Sequence, residues 1–281
     1  MIRVHPAALA LAISVAACKS EPPKMAATST PATPTPHTIV VHAKDFAFNA
    51  PDTVPAGVAW ITLANDGPGL HHVQLVKLDS GKTAADLGNA LKKPGPFPAW
   101  AKFASGPNAA MPGGHSIATV DLAAGNYAII CLVDVPDRIP HFAKGMIRPL
   151  TVVADTGAAS AMPKGNITLT LTEYAFQPSD TIRATHEVFD VVNAGAQPHE
   201  VVLVKFLPGK GMKDLQAWAA DYKGPPPIVV LGGVTATPPG MPVQFAADIT
   251  PGDYAFVCFI PDVKDGKPHI EHGMVTPFTV K

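Results

Sequence analysis

Four residues of metal-binding type occur twice in this 281-residue chain, in one order and at one spacing: His71, Cys131, His141 and Met146, then His199, Cys258, His269 and Met274, at offsets of 128, 127, 128 and 128 residues. The frame around them repeats too. Phe48 returns as Phe176, Asp52-Thr53 as Asp180-Thr181, Asn65 and Gly67 as Asn193 and Gly195, Leu75-Val76-Lys77 as Leu203-Val204-Lys205, and Asp86-Leu87 as Asp214-Leu215. Solenoid repeats have periods of roughly 20 to 50 residues, so a period this long predicts two copies of one whole domain. The length allows two ordinary cores of about 100 to 150 residues each.

Within each copy the pattern is that of short, half-buried strands. Thr38 to Val41, Phe46 to Phe48, Val58 to Leu63, His72 to Leu78, Ser116 to Leu122, Tyr127 to Val133 and Met146 to Val153 alternate in the first. Ile167 to Thr172, Glu187 to Val192, Glu200 to Phe206, Val243 to Ile249, Tyr254 to Ile260 and Met274 to Val280 follow in the second. One helix is expected per copy, Thr83 to Lys93 with Thr83 as its cap, and Met212 to Tyr222, each stopped by prolines. Pro94 to Gly114 reads as a lid or an irregular packed loop. Turn-separated strands of this kind predict an all-β chain of two tandem Greek-key β-sandwiches, each with a short helical insertion. The expected domains are 38–155 and 166–281, joined by 156–165.

Thiolate, imidazole and thioether are soft ligands, and two His plus one Cys with a long, weak axial Met describe a mononuclear blue-copper electron-transfer site. Each copy carries Cys, His and Met on one loop, and brings the first His from a Gly-rich turn at the start of an apolar strand. The expected ligands are therefore His71, Cys131, His141 and Met146 for one copper, and His199, Cys258, His269 and Met274 for a second. His72 is the alternative first ligand in the first copy. A lone turn His or strand Met is ordinarily structural; the matched sets favour ligation. A Cys131–Cys258 disulfide is the other use for two thiols in an exported protein, but equivalent loops of separately folded domains meet only in special packings. His272 matches Lys144 and reads as exposed, and His42 and His115 lack a His counterpart and read as structural. Trp60, Trp100, Trp218, Phe97, Phe142 and Phe259 read as core or lid.

Residues 1–17 place Arg3 ahead of the apolar run Ala7 to Ala17, an export signal too short to span a bilayer. Val15-Ala16-Ala17-Cys18 resembles the lipobox of bacterial lipoproteins, which implies lipidation at Cys18; a plain secretory signal with an incidental Cys is the alternative. Residues 18–37, rich in Pro and Thr, form an extended tether. The expectation is an exported lipoprotein, membrane-bound through Cys18 and facing the periplasm or cell exterior. With 21 Lys and Arg against 22 Asp and Glu, no strong field directs it to nucleic acid.

G-x-Y-A-x-x-C at Gly125 to Cys131 and Gly252 to Cys258, with P-H-x-x-x-G-M at Pro140 to Met146 and Pro268 to Met274, resembles cupredoxins of the plastocyanin and auracyanin kind, from about residue 38 to 281. The resemblance implies about eight strands per sandwich, copper near one end, and a second His at the solvent-near edge of each site. Nine residues separate Cys131 from His141 and ten separate Cys258 from His269, where small cupredoxins have two to four. His72 and Glu200 stand where plastocyanins carry an Asn that ties the ligand loops together. Multicopper oxidases and copper nitrite reductases place a His beside the copper Cys; Ile130 and Val257 precede these two, and the chain has no H-x-H pair. The expectation is a non-enzyme: an electron carrier with a redox partner protein that the sequence does not identify. A copper carrier or sequestering protein, or a module with vestigial sites, are the alternatives.

Overall fold

The computed structural model describes residues 1, 35–134, 136–157, 160–221 and 223–281. Cys18, the expected export signal beyond Met1, and most of the tether lie outside the described residues. From 34 to 281 the chain forms one compact unit.

The first half runs β1 (His37–Lys44), β2 (Ala47–Asn49), β3 (Thr53–Pro55), β4 (Gly57–Asn65), β5 (Gln74–Leu78), α1 (Ala84–Leu91), β6 (Ala101–Phe103), β7 (His115–Leu122), β8 (Gly125–Ile130) and β9 (Ile147–Val153). The second runs β10 (Ile167–Thr172), β11 (Ala175–Pro178), β12 (His186–Asn193), β13 (His199–Phe206), α2 (Met212–Asp221), β14 (Ile228–Thr237), β15 (Pro242–Asp248), β16 (Gly252–Val257) and β17 (Val275–Val280). Period-two alternation sets which face turns inward: in β1, Ile39, Val41 and Ala43 are buried while Val40, His42 and Lys44 point out. Thr83 caps α1 in a reciprocal box with Asp86, and Leu87 packs against Val76, Leu78, Ala128 and Ile130.

Several features depart from expectation: β3, β6 and β11 are strands that the pattern did not predict, and β6 lies inside the stretch 94–114 read as a lid or irregular loop. Ile228 to Thr237 is a ten-residue strand, masked in the sequence by the prolines before it and by Gly232-Gly233. Trp60, expected in core or lid, is 39% exposed on the outer face of β4, flanked across the strands by Thr38 and Thr119.

Each half is a sandwich. β3-β9-β8-β5-β6 backs β2-β1-β4-β7 in the first, and β14-β13-β16-β17 backs β11-β10-β12-β15 in the second. The two front layers are continuous: β15 pairs antiparallel with β7, Val243 with Val120 and Phe245 with Ala118, giving one eight-stranded sheet. A second seam lies nearer His71 and His199. Pro107 bridges Val234, Asn108 N donates to Gly233 O (3.0 Å), and Thr235 N donates to Gly106 O (2.9 Å). With the 127-residue offset these two bonds are images of each other, so the halves meet isologously, as the subunits of a twofold dimer do.

Candidate metal centres

The first His of each half is delivered by a turn that Asn65 or Asn193 organises. Asn65 Nδ2 donates to Gly69 O and Ala110 O while its Oδ1 accepts from Gly67 N; Asn193 bonds to Gln197 O, Thr237 O and Gly195 N in the same way. The glycines are there for space. A Cβ on Gly67 would stand 2.8 Å from Asp45 Oδ1 and 3.0 Å from His71 Nε2, and one on Gly195 2.7 Å from His199 Nε2.

The second His, the Cys and the Met share a local design. Pro140 and Pro268 open one-turn 3-10 helices, His141–Lys144 and His269–His272, which Gly145 and Gly273 end at φ of 109° and 91°. That left-handed turn, natural to glycine, returns the chain so that Met146 N donates to His141 O (3.0 Å) and Cys131 N to Met146 O (3.1 Å). Met274, His269 and Cys258 repeat both bonds, at 2.9 and 3.2 Å. The recurring P-H-x-x-x-G-M is therefore the backbone solution that holds Met beside Cys and His.

His71 Nδ1 and His141 Nδ1 face each other at 3.1 Å, with Cys131 Sγ 3.5 Å from His141 Nδ1. In the second half His199 Nδ1 and His269 Nδ1 are 3.1 Å apart and Cys258 Sγ is 3.3 Å from His269 Nδ1. In each trio one ligand atom per residue lies within 4.8 Å of the others, and all six side chains are buried. Met146 and Met274 are fully buried. Cys131 and Cys258 are free thiols. His72 is outside the trio; its Nε2 accepts from Leu132 N at 3.0 Å. Glu200 Oε1 accepts from Phe259 N at 2.9 Å. Leu132 and Phe259 each follow a trio Cys, so two unlike side chains make the loop tie for which plastocyanins use Asn.

Electrostatics suit a cation. Burial pushes the Cys131 thiol up to about 12 and Cys258 well above its ordinary value, so each thiolate needs a positive charge beside it, which a metal ion held by the trio would supply. Desolvation lowers His71 and His269, and takes His199 to about 4, leaving neutral imidazoles ready to ligate. Two nitrogens 3.1 Å apart can both lie about 2 Å from one first-row ion, and buried thiolate, imidazole and thioether fit copper in particular.

Three residues were missed in the sequence. Asp45 Oδ1 is 2.5 Å from His71 Nε2, and Glu173 Oε1 is 3.9 Å from His199 Nε2. Asp262 Oδ2 lies 3.7 Å from His269 Nε2 and accepts from Tyr174 Oη and Gln197 Nε2, bonds that hold its carboxyl well below the usual range. Carboxylates on the far nitrogen orient ligand imidazoles. Asp45 and Glu173 stand 128 residues apart, the same offset that exposed the ligands, and that was the signal available.

The resemblance placed the second His near solvent; instead His141 is 2% and His269 0% exposed. Phe46 covers His141 at 4.8 Å between ring centroids, with Lys144 Nζ 4.5 Å over the phenyl ring, and Tyr174 covers His269 at 5.5 Å, with its ring tilted by 31° against that of His272 at 5.0 Å.

Fold and trios together describe an all-β chain carrying two buried His-Cys-His trios with the donor chemistry of copper sites. No family model and no curated protein matches the chain. Among solved structures, auracyanin from Roseiflexus castenholzii is 26% identical over 41% of this chain and 96% of its own, at a TM-score of 0.30. A multicopper oxidase from Pseudomonas thermotolerans (12% identity, 89% of this chain, 69% of its own, TM-score 0.28) and a copper nitrite reductase from Nitrosomonas europaea (14%, 88%, 94%, 0.26) overlie both halves. These correct one expectation. The expectation of a non-enzyme is not upheld, since the solved structures matched along most of the chain are enzymes.

Proposed function

We propose that each half holds one copper ion, His71, Cys131, His141 and Met146 the first and His199, Cys258, His269 and Met274 the second, and that the protein passes single electrons to a partner protein. It works outside the cytoplasm, bound to a membrane through a lipid on Cys18, with domains 38–155 and 166–281. Bound copper supplies a one-electron couple. The chain's part is to fix the donors on paired backbone, exclude water from them and orient His71 through Asp45. The observation that carries this reading is the pair of buried His-Cys-His trios, alike to within 0.2 Å in their nitrogen–nitrogen and sulfur–nitrogen distances.

Copper sequestration is the second reading, favoured by the aromatic cover over His141 and His269. Copper-loaded protein decides between them. Electron transfer requires intense thiolate-to-copper(II) absorption with reversible voltammetry; tight copper(I) binding without a reversible couple supports sequestration; failure to take up copper overturns both.

A further inference from the structure

The seam near the trios is symmetric in its backbone and asymmetric in one side chain. Asn108, 2% exposed, reaches from the first half into the second: its Nδ2 lies 3.0 Å from Val201 O, 3.0 Å from Val234 O and 3.2 Å from Glu200 Oε2. Its image is Thr235, whose hydroxyl donates within reach of Val73 O and Gly106 O, both at 3.2 Å. Both residues therefore bond the residue two places after a trio His in the opposite half, Val201 or Val73. Asn108 alone goes further, to a side chain. Glu200 is buried between Asn108 and the second trio, with Oε1 on Phe259 N and its own N–H 3.4 Å from Cys258 Sγ. His72, the image of Glu200, bonds Leu132 N from within its own half, and its Nδ1 has no hydrogen-bond partner among the described residues.

The geometry points to Asn108 as a positioning residue of the second metal centre, a clamp by which the first half fixes Glu200 and, through it, the Cys258 loop, with no reciprocal clamp on the first centre. An unanchored Glu200 keeps its bond to Phe259 N but can swing, and ligand orientation is sensitive to such outer partners. The inference rests on the copper reading above.

Asn108→Thr is the discriminating substitution, because a hydroxyl there can keep the Val201 O bond as Thr235 keeps its own, while it is too short for Glu200. It is made in full-length chain carrying Cys131→Ser, to isolate the second centre, and in parallel with Cys258→Ser, to isolate the first. Copper(II) titration is expected to show about tenfold weaker binding and a shifted thiolate band at the second centre, with the first unchanged. In metal-free protein the Phe259 amide should exchange about fivefold faster, as for loss of support to one buried hydrogen bond, and the Leu132 amide at its original rate. An unchanged Phe259 amide, or equal losses at both centres, overturns the clamp. A Cys131→Ser parent that takes up no copper overturns the copper reading instead, and the amide rates then judge the clamp alone.

Discussion

At the scale of residues, the two trios share their residue types and differ in their support. Asp45 is a strong partner for His71 Nε2 at 2.5 Å, whereas Glu173 stands 3.9 Å from His199 Nε2 and bonds Ala196 N instead. Asp45→Asn should therefore weaken copper binding at the first centre by about ten- to a hundredfold and leave the second unaltered, as competition titrations with a copper(II) chelator would show. Cys131→Ser and Cys258→Ser should each abolish one thiolate band and halve the copper bound, measured by metal analysis. The His, Cys and Met residues were readable because duplication printed them twice. The carboxylates were not singled out: a lone Asp or Glu on a hairpin is usually a solvated charge, and only folding brings Asp45 back over 26 residues to His71.

At the scale of elements, alternation made most strands legible, and glycine hid one. Gly233 lies in β14 at φ 123°, and a Cβ there would run into Val201 O. Its strand therefore shows neither a clean period of two nor a β-forming composition at its centre, although Val201 and Val234 pair across it. Gly233→Ala combines a disfavoured backbone region with a main-chain clash and should cost at least about 2 kcal/mol. At Gly240, with φ 74°, an added Cβ would meet nothing within 4 Å, so replacement by Ala should cost only about 1 kcal/mol. Urea unfolding midpoints of the two variants measure the difference. The Pro and Gly of the Pro-His and Gly-Met pairs were visible in sequence; that their purpose is to pair Met with Cys through the backbone needed coordinates.

At the scale of the whole molecule, the sequence pattern implied two β-sandwiches, and two are present, but it treated them as separately packed. Period and spacing describe each copy from within and carry no information on which edges meet. The β7–β15 pairing and the Pro107–Val234 bridge join the halves twice, and buried residues of both halves belong to one apolar cluster that includes Val120, Val243 and Phe245. Calorimetry of the metal-free chain should accordingly give a single transition with equal calorimetric and van't Hoff enthalpies. Two resolved transitions would mean that the seams contribute little.

The joined sheet has a further effect on how this chain meets other molecules. Interior strands β7 and β15 saturate one another, which leaves that layer ending in β2, three residues long, and β11, four residues long and closed by Pro178. Short margins, one ending in a residue without an amide hydrogen, are poor templates for adding foreign strands. Sealing the halves together thus doubles as protection against runaway polymerisation of the layer.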